Sequence, residues 1–138
     1  MLNIDTSKTL EQLENSVWGE PFYNSYLVTT CYALRKKPLK DFTIEDLRIK
    51  IGQNDSLQYL MPLAINELKN DILAEGHFFP GDLLKNVLCA ETKFWIENES
   101  LYTIVKEIVK SQFEVLESDK EHKELIEHFR VFETLVNF

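Results

Sequence analysis

Three histidines, two cysteines and a surplus of carboxylates are the residues of this 138-residue chain that could do chemistry. Their spacing argues against most of it. His77 stands in the loop Glu75-Gly76-His77-Phe78-Phe79-Pro80-Gly81-Asp82, where an imidazole beside acids could act as general acid or base. The competing structural reading is stronger: Phe78 and Phe79 pin the loop onto the core while Asp82 helps a helix start. His122 and His128 lie six apart, on different faces of one charged helix, so the i,i+4 histidine pair of a helical zinc site is absent. Both read as solvated helix surface, with Glu124 four residues before His128 as a local ion pair. Cys31 and Cys89 are too few for a disulfide framework, and each sits in apolar helical surroundings where a free thiol packs as a small hydrophobe. The chain has no glycine-rich phosphate cradle, no Cys-x-x-Cys and no carboxylate cluster spaced for a metal. The expectation is a protein that is not an enzyme, with no catalytic residue, no cofactor and no metal.

Binding is the alternative. Fifteen Lys and Arg stand against 23 Asp and Glu, a formal net charge of −8. Such a chain repels phosphate backbones, so direct nucleic-acid binding is not expected, and a basic partner is favoured. Candidate contacts are acids and aromatics near turns and helix starts. Glu20 and Tyr23 lie in the aromatic turn 18–23, and Asp41, Glu45 and Asp46 surround a helix N-terminus. The rival reading gives Trp18 to the core and the acids to the helix dipole. If Glu45 and Asp46 do contact a partner, reversing their charge should slow association more than it alters folding.

The elements that would position these residues are helical. One stripe runs Leu57, Met61, Ile65, Leu68, Ile72; a second runs Leu101, Ile104, Val105, Ile108, Val109, Leu116; a third runs Leu125, Phe129, Phe132, Val136. Thr43 should cap a helix carrying Ile44, Leu47 and Ile51, with Asp46 and Lys50 as an i,i+4 pair. Asp55 and Asp119 should cap later helices, and Pro62 should kink or restart the one it interrupts. Pro80 and Asp82 suit the start of another helix. Residues 25–37 admit helix or strand, with length favouring helix and Pro38 as the stop. Four glycines and four prolines leave little punctuation for a many-stranded fold. The prediction is an all-α fold, a compact single-domain bundle of about seven helices over residues 1–138. With no secretory leader and no bilayer-length apolar run, a cytoplasmic location away from membranes is expected.

Five blocks add a resemblance: WGEP (18–21), SYLVTTCYALRKKPL (25–39), DFTIEDLRIKIGQ (41–53), YLMPLAINEL (59–68) and AEGHFFPGDLLKNVL (74–88). In this order and spacing the chain resembles, over roughly residues 11–117, the immunity proteins of bacterial contact-dependent growth inhibition systems. The resemblance implies a cytoplasmic, stoichiometric inhibitor of the C-terminal toxin domain of a CdiA-type effector. A basic nuclease is the expected toxin, an EndoU-like RNase the particular kind. Glu20, Tyr23, Asp41, Glu45 and Asp46 are then the expected toxin contacts. The alternative is a helical adaptor or scaffold that binds another bacterial partner. Oligomeric state is not legible.

Overall fold

A computed structural model describes residues 4–22 and 24–137. Nine α-helices follow in order: α1 (Leu10–Glu14), α2 (Tyr26–Leu34), α3 (Ile44–Gly52), α4 (Leu57–Asn70), α5 (Asp82–Leu88), α6 (Thr92–Glu97), α7 (Glu99–Ser111), α8 (Phe113–Glu117) and α9 (Lys123–Glu133). Short 3-10 turns occupy Leu39–Asp41 and Lys120–His122. The described residues form no strand; Glu75 and Pro80 make one isolated bridge inside their loop. The all-α expectation holds, but the described residues contain nine helices rather than about seven.

The surplus has physical causes. The amphipathic run from Leu101 to Glu117 is one pattern but two helices, because Gln112 leaves helical geometry between α7 and α8. Its side-chain amide accepts from the Ile72 N–H at 3.0 Å and donates to the Leu68 carbonyl at 3.0 Å, satisfying backbone groups freed where α4 ends. Short α1 and α6 are too brief to show a helical period. Thr9 begins α1 with a capping box, its hydroxyl accepting from Gln12 N–H while the Gln12 side chain accepts from Thr9 N–H.

Residues 26–34 are helical, not extended: the Ser25 hydroxyl accepts from Val28 N–H at 3.2 Å and caps α2. α4 runs through Pro62 without restarting, and that proline is buried among the core residues of the helix. The core is built around α4, where Leu60, Met61, Ala64, Ile65 and Leu68 are sealed from solvent. Helices α3 and α5 pack on each other, α3 also packs on α4, and α9 packs on α5. A second, aromatic centre joins α6, α7 and α9. Trp95 meets Phe132 edge-on at 5.2 Å, and the Tyr102 hydroxyl donates to the Phe132 carbonyl. Such pairs add about 0.5–1.5 kcal/mol beyond area burial.

Three local expectations change. Thr43 does cap α3 in a capping box with Asp46, but Asp46 pairs with Lys37 at 2.6 Å rather than with Lys50. Lys50 instead turns inward, is fully buried, and pairs with Asp55. Asp55 is thereby diverted from capping, and α4 begins at Ser56 without a side-chain cap. Asp119 caps the Lys120–His122 turn that leads into α9, accepting from Glu121 N–H at 2.9 Å.

The Lys50–Asp55 pair yields a test. Asp55→Ala strands a buried ammonium and should cost roughly 2–3 kcal/mol, whereas Lys50→Met, which removes the charge and keeps the volume, should cost less. Urea midpoints of the two variants check the order. Equal losses would mean that Asp55 contributes nothing through Lys50. No helix among the described residues is long and apolar enough to cross a membrane.

Candidate functional site

The loop 75–81 is shaped by two carboxylates. Gly81 takes φ 90°, a left-handed conformation suited to glycine, and starts α5. Asp82, the first residue of that helix, is only 2% exposed. Its carboxylate folds back to accept the Gly76 N–H at 2.7 Å and the Phe78 and Phe79 N–H groups at 3.0 and 3.4 Å. From α3, Glu45 reaches across to accept the His77 N–H at 2.9 Å. Gly76 must be glycine here, because a Cβ would stand 2.5 Å from the Glu45 carboxylate and 3.3 Å from its Cα.

Arg48, one turn along α3, locks the arrangement. Its Nε and Nη2 donate to the two Glu45 oxygens at 2.6 and 2.7 Å, a bidentate fork, and Nε lies 3.8 Å from Asp82. Arg48 thus holds the Glu45 carboxyl below its ordinary range; burial pushes the other way, and the His77 N–H adds to the lowering. The same bond raises the Arg48 guanidinium. A group depressed in the folded state stabilises the fold above its unfolded value of 4.5 and loses that stabilisation as pH falls through its folded value. Stability should therefore decline below about pH 4.5, and Glu45→Gln should flatten part of that limb while lowering the neutral plateau. Urea titrations between pH 3 and 7 would check this; an unchanged acid limb in Glu45→Gln removes Glu45 as its source.

This network forms one wall of a cleft of about 580 Å³. Tyr26 and Leu27 at the start of α2 stand on another side, with Glu45, Arg48, His77 and Phe78 across from them. Tyr26 is 71% exposed and Phe78 69%, and the Arg48 guanidinium lies 4.2 Å from the Phe78 ring centre. Among the described residues no Ser, Thr or Cys lines the cleft. His77 has a carboxylate neighbour at 3.5 Å but no nucleophile to activate. No group of three or more His, Cys, Asp or Glu among the described residues could hold a metal. The cleft suits contact: exposed aromatics beside a hydrogen-bonded floor in which one guanidinium serves two carboxylates.

The structure separates the residues singled out by sequence. Glu20 and Asp41 are exposed; Tyr23 lies outside the described residues. Glu45 is 7% exposed within the Arg48 fork, and Asp46 is shared between the Thr43 cap and Lys37. Charge reversal at Glu45 would thus disturb the fold first, opposite to the sequence-based expectation. Phe78 and Phe79 are exposed; carboxylates, not phenylalanines, pin the loop. Trp18 is also partly exposed, its ring lying over the guanidinium of buried Arg35 at 4.4 Å and near the Lys50 ammonium at 5.0 Å. Cys31 is buried as expected, but Cys89 is exposed. His122 is half-buried, with Nδ1 lacking a hydrogen-bond partner, rather than solvated surface. His128 is likewise half-buried, and it does pair with Glu124.

Sequence reasoning missed Tyr26, Leu27 and Arg48. The signal was available for one of them: Tyr26 lies outside the Leu27–Cys31–Leu34 stripe, so a helical reading leaves it facing water. Arg48 offered only an i,i+3 pairing with Glu45, since its second partner, Asp82, lies 34 residues away.

Residues 12–105 match the family model of the CDI immunity proteins. No curated protein and no solved structure matches the chain. The matched segment runs from within α1 into α7 and contains every residue of the cleft between α2, α3 and the 75–81 loop. Because the match takes in about two thirds of the sequence, this chain belongs to the CDI immunity proteins.

Proposed function

We propose that this protein binds the C-terminal toxin domain of a CdiA-type effector and neutralises it by occupying a functional surface, without turnover. Membership of the immunity family is the observation that carries the reading. The net charge of −8 supports a basic toxin, and a nuclease, which must attract phosphate, supplies that charge. An EndoU-like RNase is the particular toxin inferred. Close charge pairs between a nuclease and its inhibitor can couple by about 1.5–7 kcal/mol.

The contact face proposed is the cleft with its surroundings. A stable interface takes about 800 Å² from each partner, more than one cleft offers. Tyr26 and Phe78 serve as central anchors, while the exposed acids Glu20 and Asp41, outside the cleft lining, serve as steering charges. Glu45 and Asp46 contribute by holding α3 and the 75–81 loop in place. The test is co-production with the toxin domain of the cognate CdiA-type effector. Growth should be restored and the two chains should co-purify, the complex weakening as salt rises. Cells that die equally with and without this protein would overturn the proposal.

A further inference from the structure

Where α5 meets α9, a thiol, an imidazole and a carboxylate stand in line, and the proposed toxin contact uses none of them. Exposed Cys89 ends α5, and its Sγ lies 3.5 Å from Nδ1 of His128 on α9. Nε2 of the same ring lies 3.3 Å from Glu124 Oε1. The Lys85 ammonium, one turn before Cys89, is 3.6 Å from that oxygen. The His128 hydrogen bond, then Lys85, holds the Glu124 carboxyl below its ordinary range, so it is ionised at neutral pH. An ionised carboxylate only accepts, so in the neutral ring the hydrogen sits on Nε2 and the Nδ1 lone pair faces the thiol. Nucleophile, base and orienting acid are therefore in the order that activates a weak nucleophile.

We propose that Cys89 is a base-assisted thiol-exchange site that takes small zwitterionic disulfides. His128 Nδ1 accepts the thiol proton as Sγ attacks one sulfur of the disulfide. A new S–S bond to Cys89 forms, the disulfide's own S–S bond breaks, and the departing thiolate takes the proton from the imidazolium and leaves as a thiol. No net oxidation is required. The base matters because partial desolvation by its neighbours pushes the Cys89 thiol up, Lys85 opposes this and Glu124 adds to it, so little thiolate exists at neutral pH without help. The adjoining shallow hollow, about 730 Å³, mixes Lys120 and Lys123 with Glu121, Glu124 and Glu127 around His128. A ligand carrying both ammonium and carboxylate groups matches that alternation.

The probe is glutathione disulfide, with the full chain, followed by intact-mass and peptide mass spectrometry from pH 6 to 9. A single adduct at Cys89 is expected, absent in Cys89→Ser, with buried Cys31 as the internal control. His128→Ala should slow the reaction at pH 7 at least about tenfold, a modest share of the 10²–10⁴ that built acid–base sites reach. It should also leave a rate that simply tracks thiolate concentration. Glu124→Gln should give a smaller slowing, and serves if His128→Ala fails to fold. An adduct at Cys31 as fast as at Cys89, or an unaltered pH–rate profile in a folded His128 or Glu124 variant, would overturn the proposal. Neither readout involves the toxin, so these outcomes leave the immunity reading untouched.

Discussion

Replacing Asp82 by alanine should cost about 3–4 kcal/mol of stability, more than Asp55→Ala. Three backbone N–H groups, from Gly76, Phe78 and Phe79, rest on its carboxylate. Each of these part-buried donors, left without its charged acceptor, costs roughly 1 kcal/mol or more. Arg48 also loses its second carboxylate at 3.8 Å, though the Glu45 fork keeps it paired. Asp82→Asn retains one acceptor oxygen and should lose about half as much. Urea unfolding at constant m value measures both, and amide exchange at 76, 78 and 79 shows whether the loop opens first. A loss under about 1 kcal/mol in Asp82→Ala would mean that Glu45 and packing hold the loop without this carboxylate.

That expected result depends on contacts between residues close in space but opaque in sequence. The class of fold was legible because apolar spacing is a one-dimensional signal. The stripes through Leu57–Leu68, Leu101–Val109 and Leu125–Phe132 each became a helix buried along that stripe. Helix ends set by local chemistry were legible too, as at Thr43 and near Pro80. What failed was the assignment of charge. An i,i+4 pair on a helix is worth about 0.2–0.5 kcal/mol, so Asp46 and Lys50 are readily drawn apart by Lys37 and Asp55. Lys50 sits three residues after Leu47 and just before Ile51, on the flank of the buried stripe, and burial then demands a close anion. The position of Glu45 in a first helical turn suggests a partner contact and hides its second task, bonding His77 N–H 32 residues later. The candidate cleft was less legible still. Its walls come from three separate segments, and the exposure of Phe78 emerges only once Asp82 and Glu45 have fixed the loop.

The same geometry makes those two rings the substitutions with the largest expected effect on binding. Tyr26→Ala and Phe78→Ala should each weaken the toxin complex by about 2 kcal/mol, roughly 30-fold, and the double variant by up to about a thousandfold. Both rings line one cleft, so a departure from additivity is expected and would itself report that they share a partner group. Stability should change little. Tyr26 surrenders almost no buried area, and Phe78 loses mainly its contact with the Arg48 guanidinium, worth about 0.5–1 kcal/mol at an exposed site. The exposed acids should behave differently. Glu20→Lys and Asp41→Lys should slow association at low salt and approach wild-type behaviour as salt screens them, because steering charges act on encounter. Surface plasmon resonance against the purified toxin domain separates the two classes, dissociation for the aromatics and association for the acids. A double aromatic variant that dissociates as slowly as wild type would place the toxin on another face, leaving the cleft without a role in immunity.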